Sequence, residues 1–321
     1  MRNLGKLAVL GITALGLALA GPQDNSLVIG ASQEPRVLAG DFLSVISNQA
    51  IKSEIEQYLF APFIGFNADS QNFPVLATEV PTLENGRLRV TDIGGGKKRL
   101  EMDITIRPDA KWSDGRPITT EDVAFYFEVG KAKGMPVLNP DFWERVNVRI
   151  KDARNFTLIF EPAYYYDTYG PINTYAPKHI MGPEWERVKA AARGLDPQKD
   201  AEKLNELYRN FFIKFSTPQA LNRGAMVYSG PFMLRRWVPG NSIEMVRNPN
   251  FPIKPEGGES KYVQKVVYRF IQNTNSLLVA VIGGSIDATS SVSLTFDQGR
   301  SPQLVRRAPG RFDIWFVPGA I

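Results

Sequence analysis

Leu100-Glu101-Met102-Asp103-Ile104-Thr105-Ile106-Arg107-Pro108-Asp109-Ala110-Lys111-Trp112-Ser113-Asp114-Gly115-Arg116-Pro117-Ile118-Thr119-Thr120-Glu121-Asp122-Val123 is the stretch that decides the fold. Its first residues alternate strictly: Leu100, Met102, Ile104 and Ile106 on one side, Glu101, Asp103, Thr105 and Arg107 on the other. Period two is the mark of a half-buried strand. At the far end Thr119-Thr120-Glu121-Asp122 opens a helix. Thr119 can cap the free amides, Asp122 reaches back as the second half of a capping box, and both acids suit the positive end of the dipole. The stretch thus reads as a strand leading to a capped helix.

The same two periods extend outward. Val146, Val148 and Ile150 alternate before Lys151 to Asn155, and Phe156, Leu158 and Phe160 after it, which predicts a hairpin. From Asp200 to Phe215 the residues Leu204, Leu207, Tyr208, Phe211 and Phe215 fall on one stripe of a core-facing helix. Phe232/Leu234 and Ile243/Met245 flank Pro239-Gly240-Asn241, a second hairpin signal. Val266 to Ile271 reads as a strand, followed by Asn275 as a cap, an apolar helix, and Gly283-Gly284 as its stop. Toward the N-terminus, Leu27 to Gly30 reads as a short buried strand and Ala31 to Gly40 as a loop. Ile46 to Phe60 reads as a helix with Ile51, Ile55 and Leu59 on one face. Gly94-Gly95-Gly96-Lys97-Lys98-Arg99 reads as an exposed loop and not a phosphate cradle, since it lacks the Gly-Lys-Ser/Thr ending and precedes a strand. Phe312 to Val317 reads as an apolar strand.

Composition narrows the chemistry. The chain has 321 residues, 43% hydrophobic, with no cysteine, one histidine and a formal charge of +5. Disulfides, zinc ribbons and thiol nucleophiles are excluded, and His179 alone cannot make a multi-histidine metal site. The mild positive charge is not clustered, which argues against nucleic acid. No Gly-x-Ser-x-Gly elbow is present, so a serine nucleophile of that kind has no candidate, and His179 reads as structural. Arg2 and Lys6, an apolar run from Leu7 to Leu19 and Ala18-Leu19-Ala20 predict a secretory signal peptide over residues 1–20. Tyr164-Tyr165-Tyr166 with Tyr169 and Tyr175 is the densest aromatic group, suited to packing or to ligand contact.

Several segments, in order, resemble the bacterial extracellular solute-binding proteins of family 5, the peptide/nickel type serving ABC importers. They are Leu27-Val28-Ile29 with Gln33-Glu34-Pro35; Tyr58 to Ile64 with Phe73-Pro74-Val75-Leu76-Ala77; the stretch from Ile104 to Val123; Tyr175-Ala176-Pro177-Lys178-His179-Ile180; and Tyr228 to Leu234 through Arg247-Asn248-Pro249-Asn250-Phe251. Ser229 stands where that family commonly has glycine, and Arg87 to Lys98 looks like an insertion.

The resemblance implies a type II periplasmic-binding-protein fold, α/β with mixed sheets, whose two lobes close on an extended peptide or another small solute. On this pattern 21–60 and 226–310 form the main domain of the first lobe and 61–225 an inserted smaller α+β domain. Residues 311–321 then begin the strand toward a second lobe that is expected to be missing. It implies ligand contacts from Ser32, Gln33 and Glu34 after the first strand, from Tyr228, Ser229 and Gly230, and from Asn273 and Asn275. Glu34 would meet a ligand amine or a residue of the other lobe. It also implies a monomer, not an enzyme, that needs no cofactor and no metal and hands its solute to an ABC permease in the inner membrane. Lacking a cysteine for lipidation, it is expected free in the periplasm. The alternatives are an exported hydrolase with an unrecognised carboxylate site, or a truncated product that binds nothing.

Overall fold

The structure, a computed structural model, describes residues 25–67, 69–164, 176–254 and 262–314. The chain opens with β1 (Ser26–Ala31), α1 (Ala50–Leu59) and the short strands β2 (Ile64–Phe66) and β3 (Asn72–Pro74). Next come β4 (Leu88–Gly94), β5 (Lys97–Thr105), α2 (Thr120–Gly130), α3 (Pro140–Arg145), β6 (Val146–Ile150) and β7 (Asn155–Phe160). Three helices follow, α4 (Lys178–Ala192), α5 (Ala201–Ser216) and α6 (Pro218–Asn222). The last part holds β8 (Phe232–Val238), β9 (Ser242–Arg247), β10 (Lys265–Phe270), α7 (Thr274–Gly283), β11 (Ala288–Thr289), α8 (Phe296–Gly299) and α9 (Pro302–Val305).

These strands make a five-stranded sheet, β11-β1-β10-β9-β8, a four-stranded sheet, β4-β5-β7-β6, and the β2-β3 pair. The four-stranded sheet is antiparallel throughout. In the larger sheet β1 runs parallel to both β10 and β11, whereas β9 and β8 return as an antiparallel meander. So β1 and β10 are neighbours although the whole four-stranded sheet lies between them in sequence.

Alternation along β1 divides its side chains between two faces. Ile29 and Ala31 join a contiguous core that also holds Met102, Ile104 and Leu158 of the four-stranded sheet and Leu204 and Phe211 of α5. Val28 faces the other way, onto Leu277 of α7 and Ile286. Gly30 shares that face, and a Cβ there would lie 2.5 Å from Ile286 Cδ1 and from Leu277 Cδ1. The missing side chain is what lets α7 pack this close to the strand.

Most expected elements are present, and the capping box is formed: the Thr119 side chain accepts from Glu121 N–H, and Asp122 accepts from Thr119 N–H at 3.0 Å. Four expectations need correction. The first helix begins at Ala50 and not at Ile46, because the Asp41 carboxylate takes the N–H groups of Ile46 and Ser47 (3.2 and 3.1 Å) and holds that stretch as a loop. The cap of α7 is Asn273 and not Asn275: Asn273 Oδ1 accepts from Ser276 N at 3.0 Å. In the Gly94 to Arg99 stretch all three glycines have positive φ, but Gly94 closes β4, only Gly95 and Gly96 make the turn, and Lys97 to Arg99 already belong to β5. Finally, Phe312 to Ile314 carry no strand, and the rest of that expected strand lies outside the described residues. The expected signal peptide and most of the tyrosine cluster lie outside them too. Tyr164 is described, and Arg145 sits over its ring, 4.0 Å from the centroid.

Candidate functional site

Parallel strands place their carboxyl ends side by side, and in open α/β sheets ligands gather outside those ends. Here β1, β10 and β11 do this together. Ile271 N donates to the Ala31 carbonyl at 2.7 Å, and Ser290 N to the Gly30 carbonyl at 2.9 Å. The edge so formed consists of Ser32 to Glu34 after β1, Ile271 to Asn275 after β10, and Ser290 to Ser293 after β11.

The turn after β1 is held on several sides. Ser32 N donates to Ser293 Oγ at 3.0 Å. Glu34 spends both carboxylate oxygens inside the chain: Oε1 accepts from Trp237 Nε1 and Oε2 from Gly240 N, each at 2.8 Å. It thereby fastens the turn to the β8–β9 hairpin. Between these anchors Gln33 is exposed, and its side chain has no partner among the described residues. Beside it by register, Gln272 and Asn275 are likewise exposed with side chains unpartnered among the described residues. Asn273 is exposed but committed to capping α7.

Tyr228, Ser229 and Gly230 lie elsewhere, in the interior. Ser229 is 0% exposed and Tyr228 5%. Tyr228 exchanges hydrogen bonds with Ser113, its N–H to Ser113 Oγ at 3.0 Å and its carbonyl from Ser113 N at 2.8 Å. Ser229 Oγ accepts from Ala61 N at 3.2 Å, and Gly230 N donates to the Leu59 carbonyl at 2.8 Å. Burial pushes the Tyr228 phenol far above its ordinary range. The segment locks α1 to the loop before α2.

Sequence reasoning did not find Glu54, which binds α1 to the edge. Its carboxylate accepts from Tyr268 Oη at 2.8 Å, Ser290 Oγ at 2.9 Å, and Ser291 Oγ and N–H at 2.6 and 3.0 Å. Burial, aided by the neighbouring Tyr58 and Glu54, raises the Tyr268 phenol far out of range, so it stays a neutral donor. The only local signal was a half-buried carboxylate three residues after Ile51, at the border of the apolar face of α1.

The edge therefore offers neutral amides and hydroxyls with fixed neighbours. His179 has other partners: Nε2 lies 2.9 Å from Asp114 Oδ2, and the ring packs against Trp112. Among the described residues no cluster of His, Cys, Asp or Glu could hold a metal, and no helix is long and apolar enough to cross a membrane. Side-chain amides at the carboxyl ends of strands can donate to and accept from the polar groups of a bound solute.

Comparison with known proteins places the fold in a family. Residues 97–310, two thirds of the chain, match the model of the bacterial extracellular solute-binding proteins, family 5 middle. The chain is 23% identical over 270 residues to the oligopeptide-binding protein AppA of Bacillus subtilis, covering 83% of this chain and 40% of that protein. AppA in complex with a nonapeptide shares the fold, with a TM-score of 0.57 at 20% identity over 82% of this chain and 43% of that one. The oligopeptide-binding protein of Thermus thermophilus, crystallised with a pentapeptide, superposes with a TM-score of 0.90 at 98% identity. That match covers 92% of this chain and 49% of the Thermus protein, so the chain spans about half the length of its relative. In fold and in sequence, the chain belongs to the bacterial extracellular solute-binding proteins of family 5.

Proposed function

We propose that this chain supplies one wall of a peptide-binding cleft in the substrate-binding component of a peptide-type ABC importer. The protein captures extended peptides, or a related small solute, outside the inner membrane and passes them to the permease. The observation that carries the reading is the 98% identity to a protein crystallised with a pentapeptide. The free amides of Gln33, Gln272 and Asn275 at the parallel strand ends support it, because they suit backbone groups and leave side chains to water-filled space. Within this reading residues 21–60 and 226–310 act as the main domain and 61–225 as the insert. The protein works as a monomer, free in the periplasm, as a carrier and not an enzyme.

Titration calorimetry with a pentapeptide library tests this, on the present chain and on a chain of the Thermus protein's full length. Micromolar or tighter binding by the longer chain supports the proposal, and binding by neither sinks it. Gln33→Ala in the longer chain is expected to weaken binding roughly 3–10-fold, the worth of one or two hydrogen bonds.

A further inference from the structure

The turn after β1 is gripped from one helix face. Gln49, Lys52 and Glu56 are spaced three and four apart, so they share one side of α1 and its N-cap. Each turns its polar end to the backbone of the loop between Glu34 and Asp41. Gln49 Oε1 accepts from Arg36 N at 2.8 Å, and Nε2 donates to the Glu34 carbonyl at 3.4 Å. Lys52 Nζ donates to the Asp41 carbonyl at 2.9 Å and to Glu56 Oε2 at 3.2 Å. Glu56 Oε1 accepts from Ala39 N at 2.9 Å.

Two features say that this arrangement does more than stabilise. Lys52 and Glu56 are 2% and 6% exposed. A buried pair of charges is seldom better for stability than apolar side chains of equal size, but it holds one geometry. The geometry held here is unusual, since Ala39 and Ser44 sit at φ 61° and 56°. Non-glycine residues keep such angles only where their surroundings over-determine them.

We propose that this face of α1 is a positioning device for the ligand site: Gln49, Lys52 and Glu56 set the loop so that the Ser32–Glu34 turn is held ready for ligand. The inference rests on the reading that this turn contacts ligand. Gln49 acts on the turn directly, Lys52 and Glu56 through the loop behind it.

The device carries a pH dependence. Burial pushes the Glu56 carboxyl up to about 7, against the pull of Lys52 and of Ala39 N–H, with the charge of Asp41 adding to the rise. Asp41 is itself raised by burial, against Lys52 and its loop amides. From α2, the Tyr126 ring packs on Phe42 of the loop, and its buried phenol is neutral in this range. From α5 come the Phe212 ring, and the Ser216 carbonyl that accepts from Leu38 N; neither titrates.

The test compares Gln49→Ala and Glu56→Gln with the unaltered chain by amide hydrogen exchange over residues 33–41, from pH 4.5 to 8. Asp103→Asn, on the other sheet, serves as a variant destabilised elsewhere. Gln49→Ala is expected to speed exchange at Arg36, whose N–H donates to Gln49 Oε1, about tenfold, the effect of one lost hydrogen bond. Glu56→Gln is expected to remove the neutral-pH step in exchange at 37–41. In the full-length chain Gln49→Ala should weaken pentapeptide binding by a similar factor, while Asp103→Asn leaves it unchanged. Exchange in 33–41 as slow and as pH-dependent as in the unaltered chain overturns the inference, and so does binding weakened no more than by Asp103→Asn. If the unaltered protein binds no peptide, the proposed function fails, and the exchange comparison still decides whether this helix face sets the turn.

Discussion

A methyl group added at position 230 would lie 2.5 Å from the Leu59 carbonyl carbon and 2.6 Å from Phe60 N and the Tyr58 carbonyl oxygen. All three are backbone atoms of α1 and its exit, and they cannot turn aside. Gly230→Ala should therefore cost at least about 3 kcal/mol, the upper end of ordinary overpacking, read as a lowered urea midpoint. Glu34 makes a second residue-scale prediction. Gln in its place keeps one acceptor, for Trp237 or for Gly240, and sets an NH2 group against the other donor. Glu34→Gln should cost about 1–3 kcal/mol and shift the Trp237 fluorescence, since an N–H then faces an N–H. Both residues stood out in the sequence as motif positions, yet their roles did not. Local patterning marks a glycine or a carboxylate as special. What it meets depends on partners as far away as Trp237, which no short window contains.

Two carboxylates hold whole elements in place. Asp122 caps α2 and also accepts from Lys178 N, at the start of α4, at 2.9 Å and from Trp112 Nε1 at 3.3 Å. Asp122→Ala leaves three donors unmet in a buried site and should lower stability by about 3–5 kcal/mol, seen as loss of helix signal at lower temperature. The capping box was readable because it spans four residues; the tie to α4 was not. Asp103 stands on the polar face of the four-stranded sheet. It accepts from Arg89 of β4, from Thr157 of β7, and from Lys151 in the turn after β6. Arg89 and Arg149 also share Glu101. Burial pulls the Asp103 carboxyl upward, but these donors outweigh it and hold it well below the usual carboxylate range. A depressed value adds stability above the ordinary carboxylate range, and that stability is lost as pH falls through the folded value. Asp103→Asn should thus cost about 1–3 kcal/mol at neutral pH and flatten the acid limb of a plot of urea midpoint against pH. Its side chain is 18% exposed, so salt should shrink the effect without abolishing it.

For the molecule as a whole, the main core joins both sheets in one contiguous cluster, from Ile29 and Tyr268 to Met102 and Leu158. Thermal unfolding should therefore be a single transition, with aromatic and backbone circular dichroism coincident; two separated transitions would contradict this. Strands, hairpins and amphipathic helices were visible in advance because periods of 2 and 3.6 repeat within about ten residues. The central pairing was not, since nothing near Leu27 points to Val266, and only likeness to a known family suggested one sheet built from two distant segments. That pairing also sets a timetable. As the chain is made, Ser26 must wait for Lys265, roughly 240 positions later, before the parallel ladder can close. At roughly 5–20 residues per second the wait is about 12–48 s. Throughout it the apolar strand Leu27-Val28-Ile29 has no sheet to join, so a newly made chain stays open and threadable long after its N-terminus has left the ribosome.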